Sequence, residues 1–216
     1  MDKARERMLG MYATSENSSD PLSWFEELYS TSGRNRSLIP WDLMEPHPFL
    51  VEWIEENQHT GRALVVGSGL GEDAAYLSEK GWKVTAFDVS ESAVEWASQL
   101  HKGKEIDWLV GDLLQPEESW KGAFDLVLEV HILQAIPEDI RNAAHKNLSS
   151  LLDRHGLLVC IGRLADGLEE EIAAPPWPLS VEFIHQIGEG LSEVEFHTGV
   201  VPNKEEIRYR AVWKRE

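Results

Sequence analysis

The chain has 216 residues, 42% of them hydrophobic, which suffices for one well-buried α/β domain with an appendage and falls short of two full domains. Its formal charge of −18 works against nucleic-acid partners, whose binding depends on neutralising phosphates with Lys and Arg. With no N-terminal apolar leader and no run approaching about 20 apolar residues, it reads as a soluble, cytoplasmic protein that spans no membrane; the sequence leaves the oligomeric state open, a monomer included.

In chain order, residues 1–20 are polar and charged, with a Ser/Asn-rich tract from Thr14 to Asp20, and read as a flexible N-terminus, or as a short helix leading nowhere in particular. From Pro21, PLSWFEELYS sets Leu22, Phe25, Leu28 and Tyr29 at helical spacing, and Gly33 ends that helix. RNRSLIPWDLMEPHPF carries three prolines and should be ordered but irregular. Phe49 to Glu56 is a short helix with Phe49, Leu50, Trp53 and Ile54 on its apolar face. Residues 21–60 are therefore expected to form a helical cap that contributes to a site on the domain spanning 61–216.

The informative stretch is Arg62 to Asp88, RALVVGSGLGEDAAYLSEKGWKVTAFD. Ala63 to Val66 is a short apolar run of the kind that makes a strand buried on both faces. Gly67, Gly69 and Gly71 follow, and glycine lets a backbone turn sharply and come close to a ligand. Glu72 and Asp73 open a helix that Gly81 closes. Trp82 to Phe87 is a second apolar run, and Asp88 stands 21 positions after Gly67. That order places an adenosine-type ligand over the carboxyl ends of two parallel strands, with the Asp88 carboxylate accepting from ribose hydroxyls. A dinucleotide fingerprint, GxGxxG, would need glycine at position 72, where the acid Glu72 stands against a pyrophosphate. Adenosine joined to a cationic centre and an ammonium group is favoured instead, which describes S-adenosylmethionine.

Ser90 then caps a helix running to His101, stopped by Gly103. Ile106 to Val110, Ala123 to Val130 and Leu157 to Ile161 read as strands three to five, with a helix opened by Pro137 before the fifth. Cys160, the single cysteine, lies in an apolar run and reads as a core thiol. The loop Gly162 to Pro178 is long enough to be functional, although its Glu169-Glu170-Glu171 run lacks a His or Asp at ligand spacing, so no metal site is expected. A helix from Leu179 to Ile187 precedes two closing strands, roughly Ser192 to Thr198 and Glu206 to Trp213. The pattern predicts a mainly parallel sheet with an antiparallel strand at one edge.

On VVGSGLG, AFDVS, VGDLL and FDLVLEVHILQAIP, taken together, the chain resembles the class I S-adenosylmethionine-dependent methyltransferases over about residues 38 to 214. The resemblance implies a Rossmann-like three-layer α/β sandwich whose seven-stranded, mostly parallel sheet has strand seven antiparallel. Many members carry an acid two positions before the first glycine, and this chain has Val65. The thiopurine, thiol and halide methyltransferases tend to be apolar there, and Pro40-Trp41-Asp42 and Pro46-His47-Pro48 are similar to segments of that group. Glu129-Val130 departs from the Asp-Arg pair that the group often carries.

What the resemblance implies for the residues is specific. Gly67, Ser68, Gly69 and Gly71 would hold the methionyl end of the cofactor, Asp88 the ribose, and Val89 would lie against the adenine. Asp112 would accept from the adenine amino group and Leu113 would pack on the ring. Glu129 would sit beside the methyl group, and His131, on the same strand face, would be a candidate general base. Trp41 would cover the cofactor. Each has a plainer reading: Asp112 as a turn former, Glu129 as a solvated strand end, His131 as a histidine satisfied at a helix start, Trp41 as packing. The implied reaction is in-line transfer of a methyl group to a small molecule, with a thiol among the acceptors, in a site between the cap and the loops after strands four and five. A nicotinamide-dependent oxidoreductase and a non-catalytic nucleotide-fold protein that engages a protein partner stand as alternatives.

Overall fold

Strands that are apolar on both faces need helices on each side, and the chain supplies them in alternation. The computed structural model describes residues 3–16, 18–165, 167, 174–201 and 206–216, so the run Glu169 to Glu171 lies outside the described residues. Strands β1 (Arg62–Val66), β2 (Lys83–Asp88), β3 (Ile106–Val110), β4 (Phe124–Val130), β5 (Leu152–Arg163), β6 (Ser192–Val200) and β7 (Ile207–Lys214) form one sheet in the order β3-β2-β1-β4-β5-β7-β6. Strands β1 to β5 run parallel to one another, while β7 is antiparallel to both β5 and β6.

The antiparallel strand is therefore not at an edge, as the sequence pattern predicted, but one place in from it. Composition explains the exchange. β7 buries Tyr209, Ala211, Val212 and Trp213, which suits a covered position, whereas β6 leaves Val194 and Val200 exposed and carries charge, which suits an edge. The strand order switches from one side of β1 to the other between β1 and β4, which is where ligands gather in open α/β sheets.

Helices α1 (Lys3–Ser15), α2 (Ser23–Ser30), α3 (Pro48–Glu56), α4 (Glu72–Glu79), α5 (Glu91–Leu100), α6 (Glu138–Leu151) and α7 (Val181–Ile187) complete the layers. Alternation along β1 sends Leu64 and Val66 into one core, with Val127, Cys160 and Tyr209, and sends Ala63 and Val65 into the other, with Leu50, Trp53 and Leu77. Ser90 caps α5 as predicted, its hydroxyl accepting from the Ala93 amide at 3.0 Å. The fifth strand starts at Leu152, five residues earlier than expected, because α6 runs straight into it.

The N-terminal segment takes the helical one of its two expected forms. Residues 3–15 are helical and bury Ala4, Met8, Tyr12 and Ser15, a stripe at helical spacing inside a charged sequence. Tyr12 meets Trp24 and Trp177 edge-on, so α1 is docked on the cap rather than flexible. Among the described residues, no helix is long and apolar enough to cross a membrane.

Candidate active site

A cavity of about 570 Å³ opens over the carboxyl ends of β1, β2 and β4, roofed by α1, α2 and the segment that leads into α3. Its floor is the glycine turn. Gly67, Gly69 and Gly71 all have positive φ, at 58°, 52° and 85°, a region that L side chains rarely occupy. Space imposes the same choice, since a Cβ on Gly67 would lie 2.6 Å from Ile132 Cγ1 and one on Gly71 would lie 2.8 Å from Trp108 Cζ3. The Ser68 hydroxyl is buried with no hydrogen-bond partner, and Ser68 lines the cavity, so a ligand's polar group fits against it.

Asp88 closes β2 and is buried. One carboxylate oxygen accepts from the Gly69 amide at 2.8 Å and the other from the Ser90 amide at 3.0 Å, so the side chain fixes the glycine turn while facing the cavity. Burial pushes its pKa above the ordinary aspartate value, against the pull of these amides. Val89, Asp112 and Leu113 line the same end. Asp112 makes the turn its plainer reading required, its Oδ1 accepting from the Leu114 amide at 2.8 Å, and it borders the cavity as well.

Trp41 stands over this floor. Its Nε1 donates to the Tyr29 hydroxyl at 3.0 Å, and its ring meets Trp24, Phe25 and Tyr29 edge-on. The neighbouring Asp42 receives Arg36 through both oxygens at 2.6 Å, and Arg36 Nη2 also donates to Glu72 at 2.5 Å. Glu72 lines the cavity, but a cation from the roof is seated on it. A second tie joins the His47 amide to Asp73 at 2.8 Å, and burial raises Asp73 to about 6. Sequence reasoning missed Tyr29, Arg36 and Asp73, because these pairings join positions far apart in the chain.

Glu129 and His131 stand differently to the cavity. Glu129 is 1% exposed and stands behind the residues that line the cavity. It follows Val127 onto the core face shared with Cys160 and Tyr209. Its Oε1 accepts from the Ile132 and Leu133 amides at 2.6 and 3.0 Å, and burial raises its pKa to about 7. His131 does line the cavity, but not from Glu129's face. A φ of 64° swings it away, and its ring lies 5.3 Å from that of His47. Burial, helped by the positive Arg208, depresses His131 to about 4, and burial with His131 and Arg208 nearby depresses His47 to about 3. Gln134 Oε1 accepts from the Arg163 amide at 2.6 Å, so the His131 Nδ1 that meets it at 3.1 Å carries the proton and Nε2 keeps the lone pair. Arg163 and Arg208, which the sequence reading did not single out, border this end of the cavity.

Among the described residues, no group of three or more His, Cys, Asp or Glu side chains could hold a metal ion. What the arrangement offers is a bare-backbone turn, a buried carboxylate at the tip of β2, and an aromatic roof over the cavity.

Comparison with known proteins gives the same direction. The family model for thiopurine S-methyltransferase matches residues 34–199. A probable thiol methyltransferase 2 of Arabidopsis thaliana is 29% identical over 175 residues, 76% of this chain and 75% of the relative. Thiocyanate methyltransferase 1 of the same plant is 25% identical over 189 residues, 82% and 80% of the two chains. Among solved structures, a 1,6-didemethyltoxoflavin-N1-methyltransferase of Burkholderia thailandensis with bound S-adenosylhomocysteine superposes with a TM-score of 0.66 at 17% identity, over 98% of this chain and 86% of that one. A seven-stranded sheet, a GxGxG turn with Asp88 behind it and a match across most of the length lead to one conclusion: the chain belongs to the thiopurine S-methyltransferase family and is an S-adenosylmethionine-dependent methyltransferase.

Proposed function

We propose that the enzyme methylates the sulfur of a small thiol. The observation that carries the choice of sulfur is the burial of two imidazoles, His47 and His131, with their rings 5.3 Å apart at the cavity end that Arg163 and Arg208 border. His47 and His131 sit at about 3 and 4, so both are neutral at physiological pH and neither is a strong base. A thiol reaches its thiolate near neutral pH without help, whereas an alcohol or ammonium would need a proton removed. The names of the relatives, a thiol and a thiocyanate methyltransferase, both point to sulfur-containing acceptors, and the first of them to a thiol.

S-adenosylmethionine supplies a methyl group on a sulfonium whose leaving group needs no acid. The chain's residues then have to orient and dry the reactants. In this reading Gly67, Ser68, Gly69 and Gly71 hold the methionyl end. Asp88 accepts from the ribose, and Val89, Asp112 and Leu113 enclose the adenine. Trp41, Trp24 and Phe25, all from the cap of residues 21–60, shut out water above the reacting sulfur. The domain over 61–216 supplies the floor. The charge of −18 supports a free small molecule, rather than nucleic acid, as the acceptor.

The test is calorimetric titration with S-adenosylhomocysteine, with NADH in parallel, followed by mass-spectrometric screening of thiols, phenols and halides. Micromolar binding of the first ligand alone and S-methyl products support the reading. Turnover of phenols in preference to thiols would overturn the choice of sulfur. Asp88→Ala should abolish binding in a folded protein, and unchanged affinity would remove Asp88 from the ribose site.

A further inference from the structure

Glu129 is a buried carboxylate at the end of a strand that points at the active site, and it does not reach the cavity. What it holds is the turn that does. One oxygen takes both the Ile132 and Leu133 amides, and the other has no nitrogen or oxygen partner. Three constraints meet in this turn. His131 is left-handed, a conformation that a side-chain-bearing residue disfavours. Ile132 packs against the bare face of Gly67. Gln134 takes His131 Nδ1 and the Arg163 amide on its side chain, and its carbonyl accepts from the Trp177 amide at 2.8 Å. The cofactor floor, the acceptor wall and the segment before α7 all refer their positions to residues 131–134.

We propose that Glu129 is a positioning residue of the methyl-transfer reaction: its carboxylate, behind the wall, sets where His131 and Ile132 stand relative to the glycine turn, and its protonation moves that wall. Cys160 of β5 and Tyr209 of β7 face it, both with pKa values pushed up by burial, and Arg141 of α6 stands beyond Tyr209. The thiol and the phenol keep their protons through the neutral range. Glu129, raised to about 7, is the member of this cluster that changes charge there. A carboxylate grips two amides more strongly than a carboxylic acid does, so the turn tightens as pH rises.

The consequence for catalysis rests on the methyltransferase reading, but the test does not need turnover. The full chain is labelled with carbon-13 in its histidine rings, and the His131 signal, assigned through His131→Asn, is followed by NMR between about pH 6 and pH 8. The expected result is a step with a midpoint near 7 although the ring itself stays neutral. S-adenosylhomocysteine affinity should change about fivefold across the same step. Glu129→Gln should flatten both curves. Should that variant fail to fold, Cys160→Ala, which removes a hydrogen bond that lowers the Glu129 pKa, should move the midpoint upward. No step in the wild type, a step that survives Glu129→Gln, or a midpoint indifferent to Cys160→Ala overturns the proposal. A protein that shows the step yet binds no S-adenosylhomocysteine would refute the cofactor reading and leave the role of Glu129 standing.

Discussion

Gly67 and Ile132 form a contact whose energy can be dissected. Gly67→Ala puts a Cβ into a left-handed position, which costs about 1–2 kcal/mol by itself. That Cβ would also lie 2.6 Å from Ile132 Cγ1, so the isoleucine must leave its rotamer or the turn must move, an overpacking cost of about 1–3 kcal/mol. If the loop yields rather than the fold, the same energy appears as lost cofactor affinity, a rise in the S-adenosylhomocysteine Kd of about 30-fold or more. Ile132→Ala alone opens space and should cost about 1–3 kcal/mol of stability with a smaller effect on affinity. In the double variant the clash is gone and only backbone strain remains. The two substitutions should therefore fail to add by about 1–3 kcal/mol, read from urea denaturation and calorimetry on all four proteins. Additive effects would mean that the turn after β4 does not pack on the glycine turn, and the account of Glu129 as its anchor would fall with it.

Other expectations follow from the same contacts. Arg36→Ala leaves Asp42 and Glu72 without their shared cation, and should cost about 2–3 kcal/mol and expose the Trp41 segment to limited proteolysis. A digestion pattern identical to wild type would show that the roof is held otherwise. Tyr29→Phe removes the acceptor for Trp41 Nε1 and should weaken S-adenosylhomocysteine binding by about fivefold, worth about 1 kcal/mol, in calorimetry. The stability–pH curve carries opposed contributions. His47 and His131 are depressed to about 3 and 4, so the unfolded chain binds more protons than the fold, and stability present above about pH 6.5 is lost on acidification. Glu129 is raised to about 7, so its burial works the other way and its penalty disappears as it protonates. Glu129→Gln lacks that relief, and between pH 8 and pH 5 it should lose about 2–3 kcal/mol more than wild type does. Parallel urea curves would contradict the raised pKa.

Much of the architecture is legible in the sequence because the physics is local. Ala63 to Val66 and Leu126 to Leu128 are apolar on both faces and read as covered strands. The glycines at 67, 69 and 71 mark a turn where side chains do not fit, and Asp88 follows at the distance that one helix and one strand require. Around the cavity the structure brings together Trp41, Gly67, Ser68, Gly69, Gly71, Asp88, Val89, Asp112, Leu113 and His131. What the sequence hides is orientation. Alternation puts Glu129 and His131 on one face, and the left-handed backbone at His131 breaks that alternation. An acid at the carboxyl end of a parallel strand reads as a site residue, yet Glu129 turns to serve amides three and four residues ahead. Helix α1 was hidden because its apolar stripe is thin among charges, and the partners that reward it, Trp24 and Trp177, lie far along the chain.

The placement of β7 has a consequence for biogenesis. It is made last among the strands, yet it sits between β5 and β6, hydrogen-bonded to both. Until β7 has been synthesised, the apolar edge of β5 faces no partner in its own chain, and β6 has no place in the sheet. A ribosome that stalls between them would leave a half-sheet with an open, sticky border, the species on which chaperones act and from which aggregates grow. Substitutions that slow translation or weaken pairing in Ile207–Lys214 should therefore lower soluble yield before they lower the activity of the molecules that complete the sheet.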